Sequence, residues 1–189
     1  MSQLRIKFFS LIFLGCSQLI SAQDISWSEV HSIEWNDFQC EVPKGASFDA
    51  YTHCKLKYEF KQVEGRQLVL ISKASFMPER SWSKKDGRTP YILSHEQRHF
   101  DIYEAYRRIL LMRVEEEQAL THFNFAERIK VIFQKTFSEL LEFQDRYDEE
   151  TAHSQNVDQQ KAWDARILDL LQAHKEFIGS EVRFEMPTK

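Results

Sequence analysis

The chain of 189 residues lacks an apolar run of the roughly 20 residues that a membrane-spanning helix needs. The stretch from Phe8 to Cys16 is apolar, but Ser10, Gly15, Ser17 and Gln18 break it, so no stable membrane span is expected. A basic stripe is missing as well, and so is any nucleic-acid-binding motif. With a formal net charge of −4 the surface offers phosphate backbones no general attraction, which excludes nucleic acid as an expected partner. No internal repeat or low-complexity segment occurs. Cysteine is scarce, with only Cys16, Cys40 and Cys54.

What stands at the N-terminus has the layout of a secretory signal peptide. Arg5 and Lys7 precede the apolar run, and Ser21-Ala22 supplies the small residues of a cleavage site, so residues 1–22 are expected to be removed after Ala22. A lipoprotein reading, with Cys16 lipidated, meets a poor match at Phe13. Removing 22 of the 189 residues takes two of the 25 basic side chains and none of the 29 acidic ones, which brings the formal charge to −6. The remaining 167 residues, 23–189, suit a single domain with its own core. Export to the periplasm or the medium follows, and with it an oxidising compartment. There Cys40 and Cys54 are expected to form a disulfide, two separate buried thiols being the alternative.

The chemistry is concentrated in His95-Glu96-Gln97-Arg98-His99. Thr89 offers an N-cap oxygen, Pro90 suits the first helical position, and no further Pro or Gly interrupts before Glu117, so the spacing predicts a helix. On a helix His95 and His99 lie one above the other on one face, close enough for two imidazoles to grip one zinc ion (Zn2+). Catalytic zinc is held by three protein ligands with the fourth position open to water, and Glu96 could take that water's proton as general base. Ile102, Tyr103, Tyr106, Ile109 and Leu110 continue the histidine face into a core.

Around this helix the sequence predicts an α+β domain: a small antiparallel sheet followed by three helices. Ile33 to Phe38 reads as a short strand or its end. The alternation from Phe48 to Phe60 reads as a half-buried strand, or as two strands joined by a bend. Glu64-Gly65 makes a turn into a returning strand, Leu68 to Phe76. Trp82 in the following loop is either a plug over the core or part of a cleft wall. A second helix, capped by Asn124 or Thr121, carries Phe125, Ile129, Ile132, Phe133, Phe137, Leu140 and Leu141 at helical spacing. The polar segment Asp148 to Gln155 is expected to leave it. A third helix starts near Asn156 and stops at Gly179.

The run His95 to Asp101, taken with Tyr147-Asp148-Glu149-Glu150-Thr151-Ala152-His153-Ser154, Gln155, Gln160 and Trp163, resembles the bacterial domain of unknown function 922 family. Its members are described as predicted secreted zinc-dependent proteases. The resemblance extends from about Ile33 to Trp163 and departs at Arg98, where the family usually carries Gly. It implies a zincin-like metallopeptidase, with His95 and His99 as ligands, Glu96 as the catalytic carboxylate and His153 as third ligand, acting on a peptide or protein. It also implies an edge strand, Leu68 to Phe76, along which substrate would pair.

Helix lengths support the third ligand. About 18 residues from His99 to Glu117 carry the chain roughly 27 Å away from the metal, and a second helix from Phe125 to Tyr147 brings it roughly 33 Å back. His153 then lies six residues beyond, while His122 sits at the far end of the hairpin and His174 belongs to the third helix. Asp148 is the competitor, as a direct ligand or as a partner orienting a histidine. Two other readings remain open. One is an exported zinc-binding module with Glu96 idle, the other a metal-free helical interaction domain.

Overall fold

In a computed structural model, residues 23–63, 67–117, 120–121 and 123–185 are described. The expected signal peptide, the Glu64-Gly65 turn and His122 lie outside them. None of the described helices is long and apolar enough to cross a membrane.

The helix bearing the histidines, α1 (Pro90–Glu115), begins as its chemistry dictates. The Ile92 N–H donates to Thr89 Oγ1 at 3.2 Å, and Pro90 occupies the first turn, where a missing N–H costs no hydrogen bond. Beyond the first turns α1 is buried nearly all round, because it packs on a sheet and on two later helices at once. Ile102, Ala105, Leu110 and Leu111 are fully buried. Each large apolar side chain so placed contributes about 1.5–3 kcal/mol. The charged residues drawn inside with them are paired: Glu104 accepts from Arg107 Nε at 2.6 Å and from Arg108 Nε at 2.8 Å. Arg107 also reaches the carbonyls of Phe177, Ile178 and Gly179, tying the C-terminal segment to α1.

The sheet is antiparallel. Strand β3 (Cys54–Gln62) lies along β4 (Gln67–Phe76) on one side. On the other side, β1 (Ile25–Ser26) and β6 (Glu181–Glu185) share the opposite edge of β4. Strand β4 is therefore central. The expectation that Leu68 to Phe76 is an edge strand open to substrate is overturned, since even between its two partners Ser72 N–H donates to Ser180 O and Ala74 O accepts from the Trp27 N–H. A second, two-stranded sheet pairs β2 (Ala50–Tyr51) with β5 (Trp82–Ser83). The long alternating run from Phe48 is thus two strands, parted at Thr52-His53, where the chain changes partner. Trp82 is buried beside Tyr51 and plugs this corner.

Two local expectations give way to side-chain chemistry. Residues 35–37 form a 3-10 turn instead of a strand, because Asp37 Oδ2 accepts from the Glu34 N–H at 2.7 Å and closes a capping box. And α2 (Phe125–Thr151) does not end at Tyr147: it runs one turn further, through Asp148, before Ala152 turns left-handed at φ 49°. Helix α3 (Val157–Ala173) then starts on an Asn156 cap as expected, and a 3-10 turn at Lys175–Phe177 precedes Gly179. Strand β6 was not foreseen.

The expected disulfide is absent: Cys40 and Cys54 are free and not at bridging distance. Cys40 is tied through its backbone to Ser81, whereas Cys54 opens β3 opposite Phe76, with its side chain in the cluster under α1. Burial pushes the Cys54 thiol well up, and the carboxylates of Glu96 and Asp101 add to the effect. Native protein treated with iodoacetamide should be modified at Cys40, and at Cys54 only after unfolding. Peptide mapping that finds Cys54 alkylated as fast as Cys40 would contradict this burial.

Candidate metal centre

Antiparallel packing of α1 and α2 brings Tyr147 against the histidine pair, its ring stacked on His95 at 4.7 Å and edge-on to His99 at 5.0 Å. The next residue, Asp148, points the same way. Three atoms then meet: His99 Nε2 lies 3.3 Å from His95 Nε2, and Asp148 Oδ1 lies 3.3 Å from the first histidine's Nε2 and 3.1 Å from the second's. Ligands 2.0–2.1 Å from a tetrahedral zinc are separated by about 3.3 Å, so the triangle has the size that one such ion requires.

The protons are placed to suit. Gln144 Nε2 donates to the His99 carbonyl at 2.9 Å, so its Oε1 is the atom 2.5 Å from His99 Nδ1 and must accept from it. Likewise Gln160 Nε2 donates to Tyr147 OH at 2.7 Å and to Asp164 at 3.0 Å, which turns its Oε1 toward His95 Nδ1 at 2.8 Å. With Nδ1 donating, a ring in its neutral form presents its lone pair at Nε2. Two imidazole Nε2 atoms and a carboxylate oxygen thus converge on one point, an arrangement able to hold a cation.

The electrostatics favour positive charge at this point, whether a proton on His99 or a cation. Burial alone would lower His99, but the adjacent Asp148 carboxylate, with Glu96 and the Gln144 bond, pushes it up to about 9. Burial also opposes ionisation of Asp148, yet the two imidazoles hold it well below the usual carboxylate range. Despite three imidazole nitrogens within 3.5 Å, Asp148 Oδ1 accepts a well-angled hydrogen bond from none. Glu96 Oε2 is a second buried oxygen without a partner, and its side chain lines the same cleft of about 280 Å³. A buried acceptor left without a partner, as Glu96 Oε2 is, costs about 1–3 kcal/mol unless something fills the space beside it.

Of the residues singled out in the sequence, His95, His99 and Glu96 come together. His153 does not join the group of three formed by His95, His99 and Asp148. Because α2 continues through Asp148, that carboxylate is presented level with the two Nε2 atoms, and His153 falls beyond the helix end. Its ring packs on Phe48 at 4.1 Å, its Nδ1 is 3.5 Å from Asp148 Oδ1, and it stands at the rim of the cleft, half exposed. Ala152, His153 and Ser154 all have positive φ, at about 1–2 kcal/mol each for side chains other than glycine. That tight reversal lets α3 begin at once and lowers Gln160 onto His95. His174 bonds the Leu170 carbonyl, away from the centre. Gln144 and Asp164 gave no signal in the sequence: single polar residues on helices acquire meaning only when the partner helix is known.

No protein-family model matches the chain, nor does any curated protein or any solved structure. The resemblance to the domain of unknown function 922 family rests on the two motifs alone.

Proposed function

We propose that the protein is an exported zinc-dependent peptidase, in which His95, His99 and Asp148 hold the ion and Glu96 is the general base. The observation that carries this reading is the partnerless Glu96 oxygen, buried in an open cleft beside three converging metal-ligand atoms. A zinc ion there would polarise a peptide carbonyl and acidify a water molecule. Glu96 takes a proton from the attacking water and returns it to the amine nitrogen as the C–N bond breaks. Gln144 and Gln160 hold the imidazoles in register, and Tyr147 closes the inner wall.

The cleft favours a peptide over an anionic substrate. It is lined by Asp49 and Asp145 as well as Glu96 and Asp148, by the aromatic rings of Phe48, Tyr51 and Tyr103, and, among the described residues, by no Lys or Arg. Acidic side chains would be repelled there, while neutral, aromatic and basic ones would be accepted. Incubating the zinc-loaded protein with a mixed peptide library should yield cleavage that stops on chelation and resumes on adding zinc, with acidic residues depleted around the cut. Zinc binding without any cleavage would leave a non-catalytic zinc module and remove the peptidase reading.

A further inference from the structure

Asp164 supplies no candidate ligand and is not part of the cleft wall, yet it stands at the end of a hydrogen-bond chain that reaches a ligand. We propose that Asp164, held in place by Arg98, is a positioning residue that locks the Gln160 amide and so keeps the His95 proton on Nδ1. The importance of that lock rests on the zinc reading above; its chemistry does not.

The chain runs outward from the centre. His95 Nδ1 donates to Gln160 Oε1 at 2.8 Å, Gln160 Nε2 donates to Asp164 Oδ1 at 3.0 Å, and Arg98 Nε donates to the same carboxylate oxygen at 2.9 Å. Arg98 is fixed in turn, its Nη1 donating to Asp101 Oδ2 at 2.6 Å. Gln160 is buried, so its amide cannot trade these partners for water. Reversed by half a turn, the amide would point an N–H at His95 Nδ1. The ring would then have to accept there and carry its proton on Nε2, the atom that faces His99 and Asp148. A metal could not bind at that nitrogen.

Two groups oppose the reversal, and they are unequal. Tyr147 OH accepts from Gln160 while donating to the His95 carbonyl at 3.2 Å, but a hydroxyl can rotate and donate to a reversed amide instead. Asp164 cannot. A carboxylate only accepts, so reversal would set two acceptor oxygens face to face about 3 Å apart with no proton between them. Arg98 keeps the carboxylate aimed at Gln160. An arginine one residue before the second histidine thus acts on the first, through α3.

The test uses Asp164→Ala, and Asp164→Asn should the alanine variant fail to fold, each alone and combined with Gln160→Glu. A glutamate at 160 has two acceptor oxygens and therefore no reversed state. In metal-free protein, imidazole 15N shifts should place the His95 proton on Nδ1 in the wild type and move it substantially to Nε2 in either Asp164 variant. Zinc affinity should fall by about 10–100-fold, the range for outer partners of metal ligands. In the Gln160→Glu background the same substitution should cause no loss of affinity, because there is no orientation left to lock and the change removes a carboxylate that faces the new acceptor. An unchanged tautomer, or an equal loss in both backgrounds, overturns the proposal and leaves Asp164 a packing role. Should the wild type bind no zinc, the metal reading fails, and the tautomer measurement still decides the lock.

Discussion

Glu96→Gln is expected to keep zinc bound and to lower peptide hydrolysis by roughly 10²–10⁴-fold. The substitution is isosteric, and it breaks no hydrogen bond at Oε2, because that oxygen has none to lose. It removes only the capacity to take up a proton beside the metal. Glu96 is buried, so the loss cannot be repaired by a neighbour swinging in from the surface. Zinc content and turnover should be measured on the same preparation: full zinc loading with wild-type turnover would show that Glu96 does not shuttle the proton.

Asp148→Ala should weaken zinc affinity by more than about a hundredfold, beyond the roughly 10–100-fold typical of outer-shell partners, while His153→Ala should stay within tenfold. The difference follows from placement. Asp148 Oδ1 closes the triangle with the two Nε2 atoms at 3.1 and 3.3 Å, whereas His153 stands at the rim against Phe48. Competitive titration against a chromophoric chelator measures both, with helical circular dichroism as the check that α2 survives. The opposite pattern, with His153→Ala releasing zinc and Asp148→Ala retaining it, would return the third place to the histidine.

The histidine pair was legible because helical spacing is a property of one segment, and α1 begins on its Thr89 cap as the sequence indicates. The hairpin was legible too: lengths alone return α2 to the level of the histidine pair, and Tyr147 does lie against His95. The identity of the third group was not, because it depended on where α2 stops. Polarity suggested an exit at Asp148, but Tyr147 and Thr151 are fully buried, and Thr151 Oγ1 donates to the Tyr147 carbonyl at 2.7 Å, so packing carries the helix one turn further. The one-turn extension exchanges a histidine for a carboxylate. Arg98 lies between the two histidines in sequence, but its link to His95 passes through Asp164 and Gln160 on another helix and is visible only in three dimensions. The same holds for β4, whose apolar residues after a turn mark a strand but say nothing of how many neighbours it has.

The most direct measurement is an anomalous difference map at the zinc edge from crystals grown with one equivalent of zinc. A single strong peak is expected 2.0–2.1 Å from His95 Nε2, His99 Nε2 and Asp148 Oδ1, with Glu96 adjacent but not bonded to it. No peak at that point, or a peak held by His153 in place of Asp148, would contradict the proposed centre.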